Sequence, residues 1–230
     1  MAMQDSLQTQ GVPSGSFLDW NASRRWVHVD NVDSRKVAVF EAARLRWLNV
    51  LRRDDLSLPD GRALFWCSRR DSVHTYFTFY PFGDYADLDK RARAIKETER
   101  IVGPAAVADC DLGDVSLVLP HFSEIWTQEK AYDFDSPAQV GLLEPNAGAA
   151  RVEVRQETMG AEKHNASLWS QIAKALAEHR YPMSCRSYFS AFGTGRITSL
   201  WLAKDSAEMA LAPSVRDILK RSPFSHYASP

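Results

Sequence analysis

Val73-His-Thr-Tyr-Phe-Thr-Phe-Tyr80 is the stretch on which the fold turns. It is dominated by β-branched and aromatic residues and holds neither glycine nor proline, so it reads as a strand. Just upstream, Arg62–Ser68 has the same character, and Arg69-Arg70-Asp71-Ser72 joins the two runs as an antiparallel pair. Further out, Trp26–Val32 reads as a strand. Ser34 then opens a helical pattern to about Arg53, in which Val37, Phe40, Leu48 and Leu51 recur at helical spacing with Trp47 beside Leu48. Downstream, Asp84 caps a second helix through Val102, with Leu88, Ala92, Ile95 and Val102 on one face. Gly103-Pro104 ends it. A fourth strand is expected from Val115–Leu119 or Glu124–Gln128.

The second half of the chain repeats this order. Arg151–Glu157 reads as a strand, and Ala161–Arg180 as a helix with Leu168, Ile172, Leu176 and His179 on one face. Arg186–Phe192 and Arg196–Ala203 form strands across the turn Gly193-Thr-Gly195, and Asp205-Ser206 caps a last helix towards Lys220. A shift of 123 positions lays Tyr76 on Ser199 and Thr78 on Trp201. Strand–helix–strand–strand–helix, twice, is the ferredoxin-like order. The expected fold class is therefore α+β: two tandem ferredoxin-like halves whose antiparallel sheets form an α/β barrel. Residues 1–23 are expected to be a flexible leader, 24–148 the first half with its connector, and 149–230 the second half.

Composition narrows the function. Twenty-eight basic and 29 acidic residues in 230 leave a net charge of −1, which gives no electrostatic reason to expect nucleic acid as a partner. No run of 18 uncharged apolar residues exists, so no membrane span is expected. Cys67, Cys110 and Cys185 have no paired spacing, which argues against a disulfide framework or a thiolate metal site and fits a cytoplasmic protein. An exported protein with its signal already removed is the alternative. His164 lacks the partner histidine of a helical zinc motif, because Gly160 stands four residues before it, so no metal is expected.

Leu200-Trp201, leading through Ala203-Lys204 into the acidic cap Asp205-Ser206, resembles the dimeric α/β-barrel superfamily in its duplicated, NIPSNAP-like form. The resemblance covers about residues 24–220. It implies a barrel that encloses a small molecule. Members of that superfamily include cofactor-free monooxygenases, lactone isomerases, cyclases and haem-handling enzymes. Tyr181-Pro-Met-Ser184 is similar to a motif of the chlorite-dismutase-like haem proteins, which makes haem the alternative to a cofactor-free site.

Alternation along each strand sorts residues between a helix-covered face and a ligand-facing one. The more apolar set, Val73, Thr75, Phe77 and Phe79 with Val27 and Val29, is expected to meet the helices. His74, Tyr76, Thr78 and Tyr80, with His28 and Asp30, are then expected to face the barrel interior. In the second half Leu200 and Leu202 are expected under the helices, leaving Glu153, Arg155, Tyr188, Ser199 and Trp201 inward. A concave surface of phenols, imidazoles, an indole and a few charges suits a flat, oxygen-bearing organic ligand.

Three readings follow. In the first, His74 is a general acid or base and Tyr76 or Tyr188 hydrogen-bonds a carbonyl or enolate oxygen. His28, Asp30, Tyr80, Glu153, Arg155, Tyr188 and Trp201 then hold the substrate of a cofactor-independent monooxygenase, isomerase or cyclase. The second is a haem protein. The third is a non-enzymatic interaction protein whose aromatic residues fill the barrel. A homo-oligomer is compatible with each.

Overall fold

The structure is a computed structural model that describes residues 19–51, 64–70, 73–109, 121–156, 162–190 and 196–223. Residues 1–18 of the expected leader, the alternative strand Val115–Leu119, Cys110 and the turn Gly193-Thr-Gly195 lie outside the described residues, whereas Trp20 and Ala22, at the leader's end, are buried. The elements run β1 (Arg24–Asp33), α1 (Val37–Leu51), β2 (Leu64–Arg70), β3 (Val73–Phe82), α2 (Tyr85–Val102), α3 (Pro104–Asp109) and β4 (Phe122–Gln128). Then follow β5 (Ala149–Gln156), α4 (Glu162–Glu178), β6 (Ser184–Ser190), β7 (Arg196–Ala203), α5 (Ser206–Leu211) and α6 (Val215–Lys220). Contacts divide the chain into an N-terminal unit, Asp5–Ile125, and a C-terminal unit, Trp126–Pro230, with the division falling inside β4.

In the N-terminal unit the strands lie in the order β2-β3-β1-β4, and β3 runs antiparallel to both β1 and β2. This is the ferredoxin-like sheet order, with β4 supplying the fourth strand where one of the two expected segments placed it. Helix α2 starts where Asp84 predicts: Asp84 accepts from the Ala86 N–H, Asp87 reaches back to the Asp84 N–H, and the capping box is complete. Gly103, at φ 83°, ends the helix in a conformation that side chains resist.

The C-terminal unit repeats the path with β6-β7-β5, all antiparallel, and the last residues of β4 pair with β6. The single last helix expected from the sequence is two. Ala212-Pro213 interrupts it, because proline has no N–H to give, and Ser214 caps α6 anew by accepting from Asp217. Gly148 opens β5 so close to β7 that a Cβ there would stand 1.8 Å from the Lys204 carbonyl oxygen. The core of this unit is Trp169, Leu176, Tyr181, Met183, Cys185, Ile197, Trp201, Met209 and Ile218, with neighbouring aromatics from the segment after β4. No helix among the described residues is long and apolar enough to cross a membrane.

Candidate functional site

Register decides which side chains share a face. Across β1 and β3, Trp26 stands opposite Tyr80, His28 opposite Thr78, Asp30 opposite Tyr76 and Val32 opposite His74. Helix contacts then decide which face this is. The Tyr76 hydroxyl donates to Glu41 of α1 at 2.7 Å, and its ring lies 4.6 Å from that of Phe40. Arg44 of α1 reaches Asp30 at 2.6 Å. The Arg91 guanidinium of α2 sits 3.5 Å over Tyr80 and 4.3 Å over Trp26. The set expected to face a hollow is therefore the set beneath the helices, and Val27, Val29, Phe77 and Phe79 lie on the other face. Helices α1 and α2 turn Glu41, Arg44 and Arg91 inward, so the polar face of the sheet finds polar partners there.

This correction bears on Tyr76 and Tyr80 directly. Tyr76 is fully buried with its hydroxyl bonded to Glu41, and Tyr80 is covered by Arg91. His74 shares their face, and its Nδ1 is buried with no hydrogen-bond partner among the described residues. His28 and Asp30 differ, because they lie where the layer opens.

Asp30 is the centre of that opening, with its side chain 3% exposed. One carboxylate oxygen, Oδ2, takes the Arg44 guanidinium. The other, Oδ1, stands 3.1 Å from His28 Nε2 and 3.9 Å from His121 Nδ1. Burial works against the charge, but the His28 hydrogen bond and then the Arg44 guanidinium more than offset it. The carboxyl is held below the usual carboxylate range. The second ring nitrogen of His28 is hydrogen-bonded to Ser123 Oγ at 2.8 Å, which fixes the ring plane. His28 is 25% exposed and His121 60%, and their rings lie 5.4 Å apart. Trp26 flanks His28 at 6.0 Å. The result is an ionised carboxylate at the base of a shallow polar-aromatic edge, with two imidazoles over it.

His121, Ser123 and Arg44 were invisible to strand alternation. His121 and Ser123 come from the start of β4, more than 90 residues from His28, and no spacing ties them to β1. Arg44 is one of three charged residues in α1, with Glu41 and Arg46. Only the pairing of β4 beside β1 brings the group together.

In the C-terminal unit the expected inward set is divided between the two faces. Trp201 stands opposite Cys185 and Arg151, and packs on Trp169 of α4 at 6.0 Å and on Tyr181 at 5.6 Å. It is a core residue beneath the helices, and Ser199 shares its face. Leu200 and Leu202, expected beneath the helices, lie on the other face by alternation. Tyr188, opposite Thr198, is on that other face too, where it is fully buried and donates to the Glu144 carboxylate. Glu153 is exposed and 3.1 Å from Arg151. Arg155 lies over Tyr132 and Trp169, at 4.7 and 5.5 Å, with its guanidinium spread on their rings. Glu153, Arg155, Tyr188 and Trp201 thus share no single surface.

No family model matches the chain, and no curated protein matches it in sequence. Solved structures do. A candidate monooxygenase of Fusobacterium nucleatum superposes with a TM-score of 0.52 at 13% identity, over 90% of this chain and 84% of that one. A candidate monooxygenase of Lactobacillus acidophilus gives 0.47 at 8% identity, over 89% of this chain and 85% of that one. A mutant chlorite dismutase of Candidatus Nitrospira defluvii gives 0.44 at 8% identity, over 89% and 86%. The first of these likenesses shows a shared fold, the ferredoxin-like α+β fold described above. At such identities it says nothing of activity.

Proposed function

We propose that this protein binds a small oxygenated organic molecule at the edge formed by His28, Asp30 and His121, and that His28 handles a proton there. The observation that carries this reading is the geometry around Asp30, a buried carboxylate bonded on one oxygen to Arg44 and on the other to an imidazole that stays partly exposed. Such a pair positions and polarises the imidazole so that, with Nε2 on Asp30 and Nδ1 on Ser123, it can take a proton relayed from an acidic C–H or O–H by the Ser123 hydroxyl and return it. Arg44 holds the carboxylate from behind, and Ser123 holds the ring. Trp26 offers apolar area beside the imidazole for a flat ligand. Proton removal beside a carbonyl is the common first step of cofactor-free oxygenation, isomerisation and cyclisation, so this arrangement serves any of the three. The proton-handling role proposed from sequence for His74 passes to His28, and Tyr76 supports the layer through Glu41.

A thermal-shift screen of hydroxy-aromatic and β-dicarbonyl acids tests the proposal, followed by side-chain NMR of the histidines. A true ligand raises Tm, moves the His28 imidazole signals and loses its effect in His28→Ala. Ligands that stabilise the parent and the variant equally would overturn the assignment.

The two units also read as copies of one building block. The 123-residue shift carries the pair His28–Thr78 onto Arg151–Trp201, and Asp30–Tyr76 onto Glu153–Ser199, so the β1/β3 and β5/β7 registers coincide. The β2 and β6 hairpin arms do not keep the same shift, since it would carry the pair Phe65–Thr78 onto Tyr188–Trp201, whereas Tyr188 pairs with Thr198. A copied unit with a remodelled hairpin accounts for both facts.

A further inference from the structure

His28, Asp30 and His121 each offer one ligand atom, and the three atoms lie within 4.8 Å of one another. The closest pair, His28 Nε2 and Asp30 Oδ1 at 3.1 Å, cannot be two bare acceptors face to face, so a proton or a cation stands between them. Metal–nitrogen and metal–oxygen bonds of about 2.0–2.2 Å place neighbouring ligand atoms roughly 3 Å apart. That pair is therefore already at coordination distance. His121, at 3.9 Å, is the most exposed of the three.

We propose that these three residues bind a divalent transition-metal ion. The outer partners favour this. Arg44 takes the outer carboxylate oxygen and Ser123 the outer ring nitrogen, which leaves Oδ1 and Nε2 directed at the shared point. Two imidazoles and one carboxylate suit zinc, cobalt, nickel or iron. A single carboxylate, already shared with Arg44, offers little to magnesium or calcium, which bind through several oxygen ligands, so the imidazoles favour the softer ions. Three protein ligands leave coordination positions open to water or to an oxygenated molecule. The metal site stands on this geometry alone; an ion on His28 Nε2 replaces the proton shared with Asp30, so the loaded site and proton handling by His28 are alternatives, and only the ion's role toward an organic ligand rests on the binding proposed above.

The test uses the tag-free full chain, treated with EDTA and moved to metal-free buffer. It is titrated with cobalt by visible absorbance and with zinc by calorimetry. The expected result is one ion per chain at micromolar affinity, no response to magnesium, and the same behaviour in His164→Ala. His121→Ala alters an exposed side chain and keeps the parent circular dichroism, yet weakens binding about 100-fold or more, at the upper end of what losing even an outer partner costs. A parent that takes up neither ion at millimolar concentration, or a His121→Ala protein that binds as the parent does, overturns the site. Organic-ligand binding unchanged by EDTA would remove the metal's role toward that ligand and leave the proposed function standing. A metal-loaded chain that binds no organic acid would do the reverse.

Discussion

Between sheet and helices, the N-terminal unit places buried ion pairs where the C-terminal unit places mainly aromatic and aliphatic side chains, its arginines lying over aromatic rings. Asp30 meets Arg44 at 2.6 Å, Tyr76 meets Glu41 at 2.7 Å, and Arg91 covers Tyr80. The corresponding layer of the C-terminal unit is Trp169, Leu176, Met183, Cys185, Ile197, Trp201 and Met209. The chain path and the β1/β3 and β5/β7 registers are alike, so the difference is one of side-chain chemistry. Apolar burial contributes roughly 25 cal/mol per Å² and asks for no partner. A buried ion pair spends most of its Coulomb gain on desolvation and adds little net stability. What the polar layer does supply is a carboxylate held ionised near the surface, and the candidate site lies at its open end.

That contrast predicts where the chain is fragile. Trp201→Ala is expected to cost about 3–5 kcal/mol, the range for emptying a large buried aromatic site. Trp201→Phe should cost much less, because it keeps most of the aromatic volume and gives up only an indole N–H that is buried without a hydrogen-bond partner among the described residues. Urea unfolding measures both, and equal costs would show that a phenyl ring cannot take over the packing of the indole. In the N-terminal unit, Arg44→Met is expected to cost about 3 kcal/mol by leaving Asp30 buried and short of its cation. Adding Asp30→Leu to it should restore much of the loss. If the double variant is no more stable than Arg44→Met alone, the polar layer is worth more than this account allows.

Local signals were legible where backbone chemistry is local. Asp84, Gly103 and Asp205 mark helix ends because a carboxylate or a missing side chain acts within one turn, and β7 spans the very residues its alternation predicts. Facing was not legible. Alternation yields two sets per strand but does not say which meets the helices. In β3 both sets are buried, with Tyr76, Thr78 and Tyr80 on one face and Phe79 on the other, so relative apolarity was a poor guide. The answer lay in α1 and α2, whose inward Glu41, Arg44 and Arg91 complement a polar strand face. The site was half legible for a related reason. His28 and Asp30 stand two residues apart on one strand, but His121 and Ser123 join them only through the pairing of β4 beside β1.

The smallest expected effect probes how dry the C-terminal layer is. Cys185 is fully buried on β6, and burial pushes its thiol up to about 12, with a hydrogen bond from Ser187 offsetting only part of that. In the unfolded chain the same thiol ionises near pH ~8.5. Between those values the unfolded state has released a proton that the folded state keeps, so stability falls as pH rises. The slope is about 1.4 kcal/mol per pH unit once the unfolded thiol is ionised. Unfolding free energies of the parent and Cys185→Ala, compared from pH 8 to 10.5, isolate this contribution, since Cys67 and Cys110 are common to both. The difference should grow with pH in favour of the alanine variant, and alkylation at pH 8 should spare Cys185 until the chain is unfolded. Parallel curves, or prompt labelling of Cys185 in the native protein, would mean that water reaches the layer and that the two units differ less than their side chains suggest.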